Sequence, residues 1–506
     1  MKIDYKKIRN IDWYRQGAAI KPLYASYPII GCSVFFIKNT LAPIFYKNII
    51  VDINNGHMID YMDKAILKKI VYYYSTQQLK NHNFINGIKT HWEKYNVQPF
   101  FQNIEKINQC ELKNLGNKEL LNEFLNFSDK YMLVWKNSIF HDAFDVFGEF
   151  VLTETLNKKK CELSGKEIQI LLANTKPSIL QKERLATLEI AEIIVKNKKI
   201  KDRLIKLNII QIKKEFPNIY KKISSLVDKF HWVHNDFHTI IKLDEKYFWG
   251  NIKKLINDKK LIAEERCIKK ELKDNKISQN KLIKDKNISK EIISVVNMLT
   301  IIANWRDERK AYMQIASSVI NRFIKKFSLR TGIYKNLLEY CLHTEIKNIF
   351  TFNKNNMKEL SKREELGMLG IIYNRNKIDW FNIKEAAKIR LLMKKIFAEK
   401  TELKGSAAFP GKVIAKAKII LGRKDFYKLK RGEILIAPNT RPEYVPIIKI
   451  AGAIISEEGG ITCHTAIVSR ELKKPAIIGV QGIINIIKDG DTVEVDTDKG
   501  IVRKLK

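Results

Sequence analysis

The stretch GGITCHTAIVSREL, residues 459–472, decides how the C-terminal fold is read: two glycines, a threonine, a cysteine and a histidine precede an amphipathic run with no charge before Arg470. The apolar AIISEE ahead of it reads as a strand, and the run after it as a helix beginning near Cys463. Thr462 is then a natural N-cap with His464 in the first turn. The unpaired amides of such a turn, with the helix dipole, favour an anion by about 0.3–1 kcal/mol. Gly459 and Gly460 keep side chains out of the same space. A neutral imidazole is a nucleophile at ordinary pH, so the pattern suits a histidine that accepts a phosphoryl group and gives it away. A buried histidine capping a βα turn explains the spacing equally well, and from spacing alone both readings stand.

Outward from this stretch, residues 401–506 are strand-like. GSAAFPGKVIAKAKIIL, GEILIAP, GAIISEE, PAIIGV, DTVEVD and GIVRKL are short, β-branched and punctuated by Pro and Gly. Two short helices are expected between them, one in RPEYVPIIKIA and one at His464. TELKG (401–405) reads as the connector to the preceding region.

Residues 1–62 read as a small mixed α/β segment. YKNIIVDINNGHMIDYM places Asn55-Gly56 between two apolar runs, a hairpin signal. From residue 63 to 400 the pattern is helical: Ser164 and Glu167 have capping-box spacing, and a long amphipathic helix is expected from Ser289 to about Phe327. The lysine-rich stretch from Asn251 to Lys290 reads as a solvated helical hairpin. The predicted fold class is therefore multidomain: mainly α, with a β-hairpin near the N-terminus and a C-terminal α/β domain.

The 506 residues carry a formal charge of +37, which raises the question of nucleic acid. The segment from Gly405 to Lys506 holds +7 and the first 404 residues +30. These densities are nearly equal, so no basic arm stands out and nucleic acid is not the expected partner. The six cysteines form no CxxC pair, which favours reduced thiols in a cytoplasmic protein. No charge-free stretch reaches the ~20 residues of a spanning helix, so no membrane is expected.

APNTRPEYVPIIKIAGAIISEEGGITCHTAIVSRELKKPAIIG (437–479) closely resembles the phosphohistidine, or swivelling, domain of the phosphoenolpyruvate-utilising enzyme family, which includes phosphoenolpyruvate synthase, pyruvate phosphate dikinase and rifampicin phosphotransferase. The match extends through GSAAFPGKVIAKAKII upstream and DGDTVEVDTDKGIVR downstream. The resemblance implies a β/β/α swivelling domain over 401–506, a hinge near 400–405, and His464 as the phosphorylated catalytic residue. Gly459, Gly460, Thr462, Cys463 and Arg470 would support the phosphate. Thr462 falls on a threonine that a regulatory protein phosphorylates in the synthase and dikinase, although a cap already accounts for it.

The resemblance further implies a phosphotransferase, kinase-like in its chemistry, working as part of a complex. An ATP-grasp domain and a pyruvate-binding barrel are both expected to be missing, the chain ending at Lys506. A separate ATP-grasp protein holding Mg-ATP would then be the partner, with no cofactor bound tightly here and a small-molecule acceptor held by the helical region. The competing reading is a non-catalytic binding or regulatory protein that retains the swivelling domain.

KPSILQKERLATLEIA, FHWVHNDFHTIIKLDEKYFWGNI and NWRDERKAYMQIASSVINRF resemble helical segments that precede this domain in synthase-like proteins. Within them, His231, His234 and His238, with Asp236 nearby, would share one face if helical, a spacing that could bind zinc. The aromatic neighbours favour a packed segment, so no metal is expected, and His234, Asp236 and His238 are candidates for the acceptor side instead. Arg306, Arg309 and Lys310 could meet a phosphate on one helix. Ordinary ion pairing with Asp307 and Glu308 is the simpler account.

Overall fold

The computed structural model describes residues 3–33, 48–136, 138–235, 240–241, 243–372, 378–398, 403–440, 444–459 and 463–505. The chain forms two compact units. One comprises Met1–Gln77, Ile139–Glu154 and Phe352–Lys506, the other Gln78–Ser138 and Thr155–Thr351. These limits differ from the expected divisions at 62 and 400, because strands from both sides of the second unit complete a single sheet.

That sheet has the order β1-β3-β2-β4-β5, all antiparallel, with β1 at Trp13–Ala19, β2 at Ile49–Asn54, β3 at His57–Asp63, β4 at Met368–Ile372 and β5 at Asp379–Phe381. The expected hairpin joins β2 to β3 through Asn55 and Gly56, whose φ values of 50° and 71° suit a two-residue turn with left-handed backbone. β4 and β5 correct the reading of 63–400 as purely helical. Met368-Leu-Gly-Ile-Ile is buried at every position, so it has no alternation to mark it as a strand. Trp13, Ile50, Leu369, Ile371, Ile389 and Phe397 form the core between this sheet and the helix Ile383–Ala398.

The C-terminal part of the same unit is an eight-stranded sheet in the order β6-β13-β12-β8-β9-β10-β11-β7. Its strands are β6 (Leu403–Lys404), β7 (Ser406–Phe409), β8 (Lys412–Ile419), β9 (Ile434–Ala437), β10 (Ala453–Ser456), β11 (Ala476–Ile478), β12 (Thr492–Asp496) and β13 (Ile501–Lys504). β8, β9, β10 and β11 run parallel to one another, and β12 and β7 flank them antiparallel. Alternate residues of the central strands enter separate cores. Leu435, Ala437 and Ile454 lie with Ile448, Ala466 and Val468 on the side of the short helices. Ile434, Ile436 and Ile455 face Ile483, Val493 and Val495 on the other.

The second unit is built around the helix Lys290–Thr331, which is 42 residues long and spans about 60 Å. Ser289 caps it through the Ile292 amide, and Gly332, at φ 72°, ends it. Trp92 and Trp305 meet at 5.0 Å between ring centroids, and Phe124 meets Phe323 at 5.5 Å. The Ser164–Glu167 capping box forms as expected. The lysine-rich stretch forms Glu245–Asn257 and Lys259–Asp285. Among the described residues, no helix is long and apolar enough to cross a membrane.

Candidate functional site

At the C-terminal end of β10 the chain leaves the sheet through Glu457, Glu458 and Gly459. The next described element is the helix His464–Glu471. Gly459 has φ 112°, and a Cβ placed on it would lie 2.7 Å from Cys463 Sγ. Glycine is therefore required twice over, by the backbone conformation and by the sulfur beside it.

The helix begins one residue later than a threonine cap would place it. Cys463, extended at φ −70° and ψ 162°, is the N-cap and accepts from the Ala466 amide at 3.5 Å. Serine and threonine are the favoured caps, which is why the sequence points to Thr462. Thr462 and Gly460 lie outside the described residues. His464 is the first helical residue, at the end where main-chain amides have no intrahelical acceptor. Burial pushes the Cys463 thiol up from its usual range, so it is held as a neutral cap.

Three side-chain hydrogen bonds shape this helix, two of them to other segments. Thr465 is buried, and its Oγ1 lies 2.9 Å from Oγ1 of Thr440, three residues past β9. The Ser469 hydroxyl donates to the Thr465 carbonyl at 2.6 Å. Arg470 Nε donates to the Ala408 carbonyl of β7 at 3.0 Å, and burial lowers its pKa against the opposing pull of the Glu149 carboxylate. The guanidinium thus serves the helix–sheet packing directly.

Sequence reasoning missed the residues that hold the two acids ahead of Gly459. Glu457 Oε2 accepts from Arg15 Nη1 at 2.6 Å, and its Oε1 accepts from the Gly482 amide at 2.8 Å. Glu458 Oε1 accepts from the Gly17 amide at 2.9 Å, and its Oε2 from Asn439 Nδ2 at 3.1 Å. Burial raises the pKa of both carboxyls, against the neighbouring donors. Asp60, cross-strand from Gln16, is pushed up to about 7 by burial and then by the Asp142 carboxylate, with Glu458 adding to the rise. The signal available in the sequence was the Glu-Glu pair closing an apolar strand.

In the helical unit, His231 and His234 do not share a helix face, which corrects the expectation drawn from their spacing. The helix Pro217–Phe230 ends at His231, whose Nδ1 lies 2.9 Å from the Val227 carbonyl. His234 sits in the following turn, with Nε2 2.7 Å from Tyr247 Oη, and burial lowers its pKa. Asp236 and His238 lie outside the described residues. Among the described residues, no group of three or more His, Cys, Asp or Glu is arranged to hold a metal ion.

Arg309 is buried. Its Nη1 donates to the Ser138 carbonyl at 2.8 Å, and its guanidinium carbon stands 4.7 Å from the centre of the Trp135 ring. Arg306 is half-buried and Lys310 exposed, so the three cations do not present one face. Beside them, Glu308 meets Lys89 at 2.9 Å, and Asp307 accepts from the Ile179 amide at 3.0 Å.

Residues 429–500 match the family described as "PEP-utilising enzyme, mobile domain". The chain carries a PEP-utilising enzyme mobile domain. Among similar proteins, a probable phosphoenolpyruvate synthase of Archaeoglobus fulgidus is 48% identical over 100 residues, covering 20% of this chain and 13% of that protein. The phosphoenolpyruvate synthase of Aeropyrum pernix is 39% identical over 101 residues, covering 20% of this chain and 12% of its own length. The likeness to these synthases thus covers about a fifth of this chain and about an eighth of theirs. The crystal structure of Thermococcus kodakaraensis aconitase X overlaps 21% of this chain and 98% of its own, at 21% identity and a TM-score of 0.18, too slight a likeness to bear on the fold. The mobile domain contains the whole connection from β9 through Glu457 and His464 to β11.

Proposed function

We propose that this protein takes part in phosphoryl transfer, with His464 as the carrier. The observation that carries the reading is the position of His464 as first residue of its helix, directly after the Gly459–Cys463 connection, within a PEP-utilising enzyme mobile domain. A nitrogen of the neutral imidazole attacks phosphorus. The N–P bond forms as the P–O bond to the donor breaks, and the leaving nucleotide or enolate departs on its oxygen. The amides at the helix mouth stabilise charge on the transferring oxygens. An acceptor nucleophile then displaces the imidazole and releases its proton, returning His464 to its starting form.

The donor in this proposal is ATP bound with Mg²⁺ to a separate ATP-grasp protein, or phosphoenolpyruvate. The acceptor is a small molecule held by the helical unit. Gly459, Gly460, Thr462 and Cys463 shape the carrier loop, with Arg470 holding the helix beneath it. Thr462 is the residue at which a regulatory phosphate would block the loop. The protein would work in the cytoplasm as one component of a phosphotransferase. His234, Asp236, His238, Arg306 and Lys310 remain candidates for the acceptor side, while the enclosure of Arg309 favours a packing role for it.

The test is acid-labile labelling with β- or γ-labelled ATP, or with labelled phosphoenolpyruvate, in the presence and absence of a cognate ATP-grasp protein. Label on the wild type that is absent from His464→Ala supports the carrier. No such label under any of these conditions leaves the non-catalytic binding or regulatory reading in its place.

A further inference from the structure

The segment leaving β9 runs beside the histidine connection at the C-terminal ends of two parallel strands, β9 and β10. It bonds to the chain on both sides of that connection. Before Gly459, the Glu457 amide donates to the Ala437 carbonyl at 2.9 Å and the Glu458 amide to the Pro438 carbonyl at 2.8 Å, while Asn439 Nδ2 donates to Glu458 Oε2 at 3.1 Å. After Cys463, Thr440 Oγ1 stands 2.9 Å from Thr465 Oγ1, with the two residues 5% and 1% exposed. Residues 437–440 thus brace both the entry to the connection and its exit.

The exit is weakly fastened by local means. The cap of the histidine helix is a sulfur, a weak acceptor, and it takes the Ala466 amide at the long distance of 3.5 Å. The Thr465 hydroxyl also bonds to the Cys463 sulfur, so the contact from Thr440 reaches both chain neighbours of His464. The core on this side of the sheet is apolar, with Ala437, Tyr444, Ala466 and Val468 among its members. Valine has the shape of threonine, and burying a hydroxyl has a cost that hydrogen bonding must offset. The pair therefore contributes direction more than filling. It acts on the first turn of the helix, whose backbone sets where a side chain on that turn is able to reach.

We propose that Thr440 is a positioning residue for His464: its hydroxyl, acting through Thr465, holds the first turn of the histidine helix in the arrangement from which the imidazole reacts. The role in phosphoryl transfer rests on the reading of His464 as a carrier, whereas the hold on the reactivity of the imidazole does not.

Carbethoxylation of the full chain by diethyl pyrocarbonate, read at each histidine by peptide mass spectrometry, tests the hold. His57 and His91 are exposed and serve as internal standards. Thr440→Val is expected to shift the rate at His464 by about threefold or more relative to both standards, and Thr465→Val to act in the same direction. Thr440→Ser, which keeps the hydroxyl, is expected to stay close to wild type. A wild-type rate at His464 in Thr440→Val would overturn the proposal. So would a Thr440→Ser variant as altered as Thr440→Val, or a change shared by His57 and His91, which marks general loosening of the fold. A parallel arm treats the same proteins and His464→Ala with phosphoramidate, a chemical donor to histidine. There Thr440→Val is expected to slow the His464-dependent label by about tenfold or more, with Thr440→Ser near wild type. Absence of that label from the wild type counts against the carrier reading, and the carbethoxylation rates then decide the positioning role by themselves.

Discussion

Cys463 Sγ occupies the space that a side chain on Gly459 would need, at 2.7 Å from the position of its Cβ. Gly459 and Cys463 thus meet as a bare backbone against sulfur. Gly459→Ala meets both the positive φ and this contact, with Cys463 Cβ only 2.9 Å away. The expected cost is about 2 kcal/mol or more in urea unfolding of the mobile domain, accompanied by reduced labelling of His464.

The Thr440–Thr465 hydroxyl pair is buried and joins β9's outgoing chain to the histidine helix. Thr465→Val should cost about 0.5–1.5 kcal/mol by removing this hydrogen bond. Thr440→Val and the double variant Thr440→Val/Thr465→Val complete the set. A double-mutant cycle by chemical denaturation measures the coupling directly.

Asp60 carries a pH prediction. Its carboxyl is raised from 3.8 to about 7 in the folded protein, so between those values the folded state holds a proton that the unfolded chain has lost. Stability should therefore fall as pH rises through this window and level off above about 7. Asp60→Asn should flatten the fall and be more stable than wild type at pH 8, with an upper bound of about 4 kcal/mol from three pH units. Thermal melts of both proteins from pH 4 to 8 check the sign.

Arg309→Gln separates packing from ligand binding in the helical unit. Losing the donor to the Ser138 carbonyl and the contact with Trp135 should cost about 2–4 kcal/mol of stability. Chemical labelling of His464 with phosphoramidate should be unaffected at temperatures where the variant is folded.

The sequence was most legible where local chemistry dictates structure. Asn55-Gly56 announced its hairpin, Ser164 and Glu167 their box, and Ser289 the start of the long helix, because each acts within a few residues. The resemblance around His464 identified the domain whose strands and short helices the structure contains. Cys463 was missed as a cap because sulfur rarely takes that role. The histidines of HWVHNDFH failed for a different reason: spacing indicates a shared face only if the helix continues, and it stops at Phe230. Arg15, Gln481 and the β4 strand were beyond local reading, since their partners lie hundreds of residues away. β4 pairs with β2 from Ile49↔Ile372 to Ile53↔Met368, and Arg15 with Glu457.

That long-range pairing has a consequence for how the chain is made. At ribosomal rates of about 5–20 residues per second, β2 leaves the exit tunnel roughly 15–60 s before β4 is synthesised. Throughout that interval the β2 edge destined for β4, built from Ile49-Ile-Val-Asp-Ile, is a template without its strand. The helical unit between them can finish folding first, because its last residue, Thr351, is made before β4. Biogenesis of this protein is thus a matter of waiting, with the N-terminal hairpin exposed to chaperones or to its own neighbours on the polysome until residue 372 arrives.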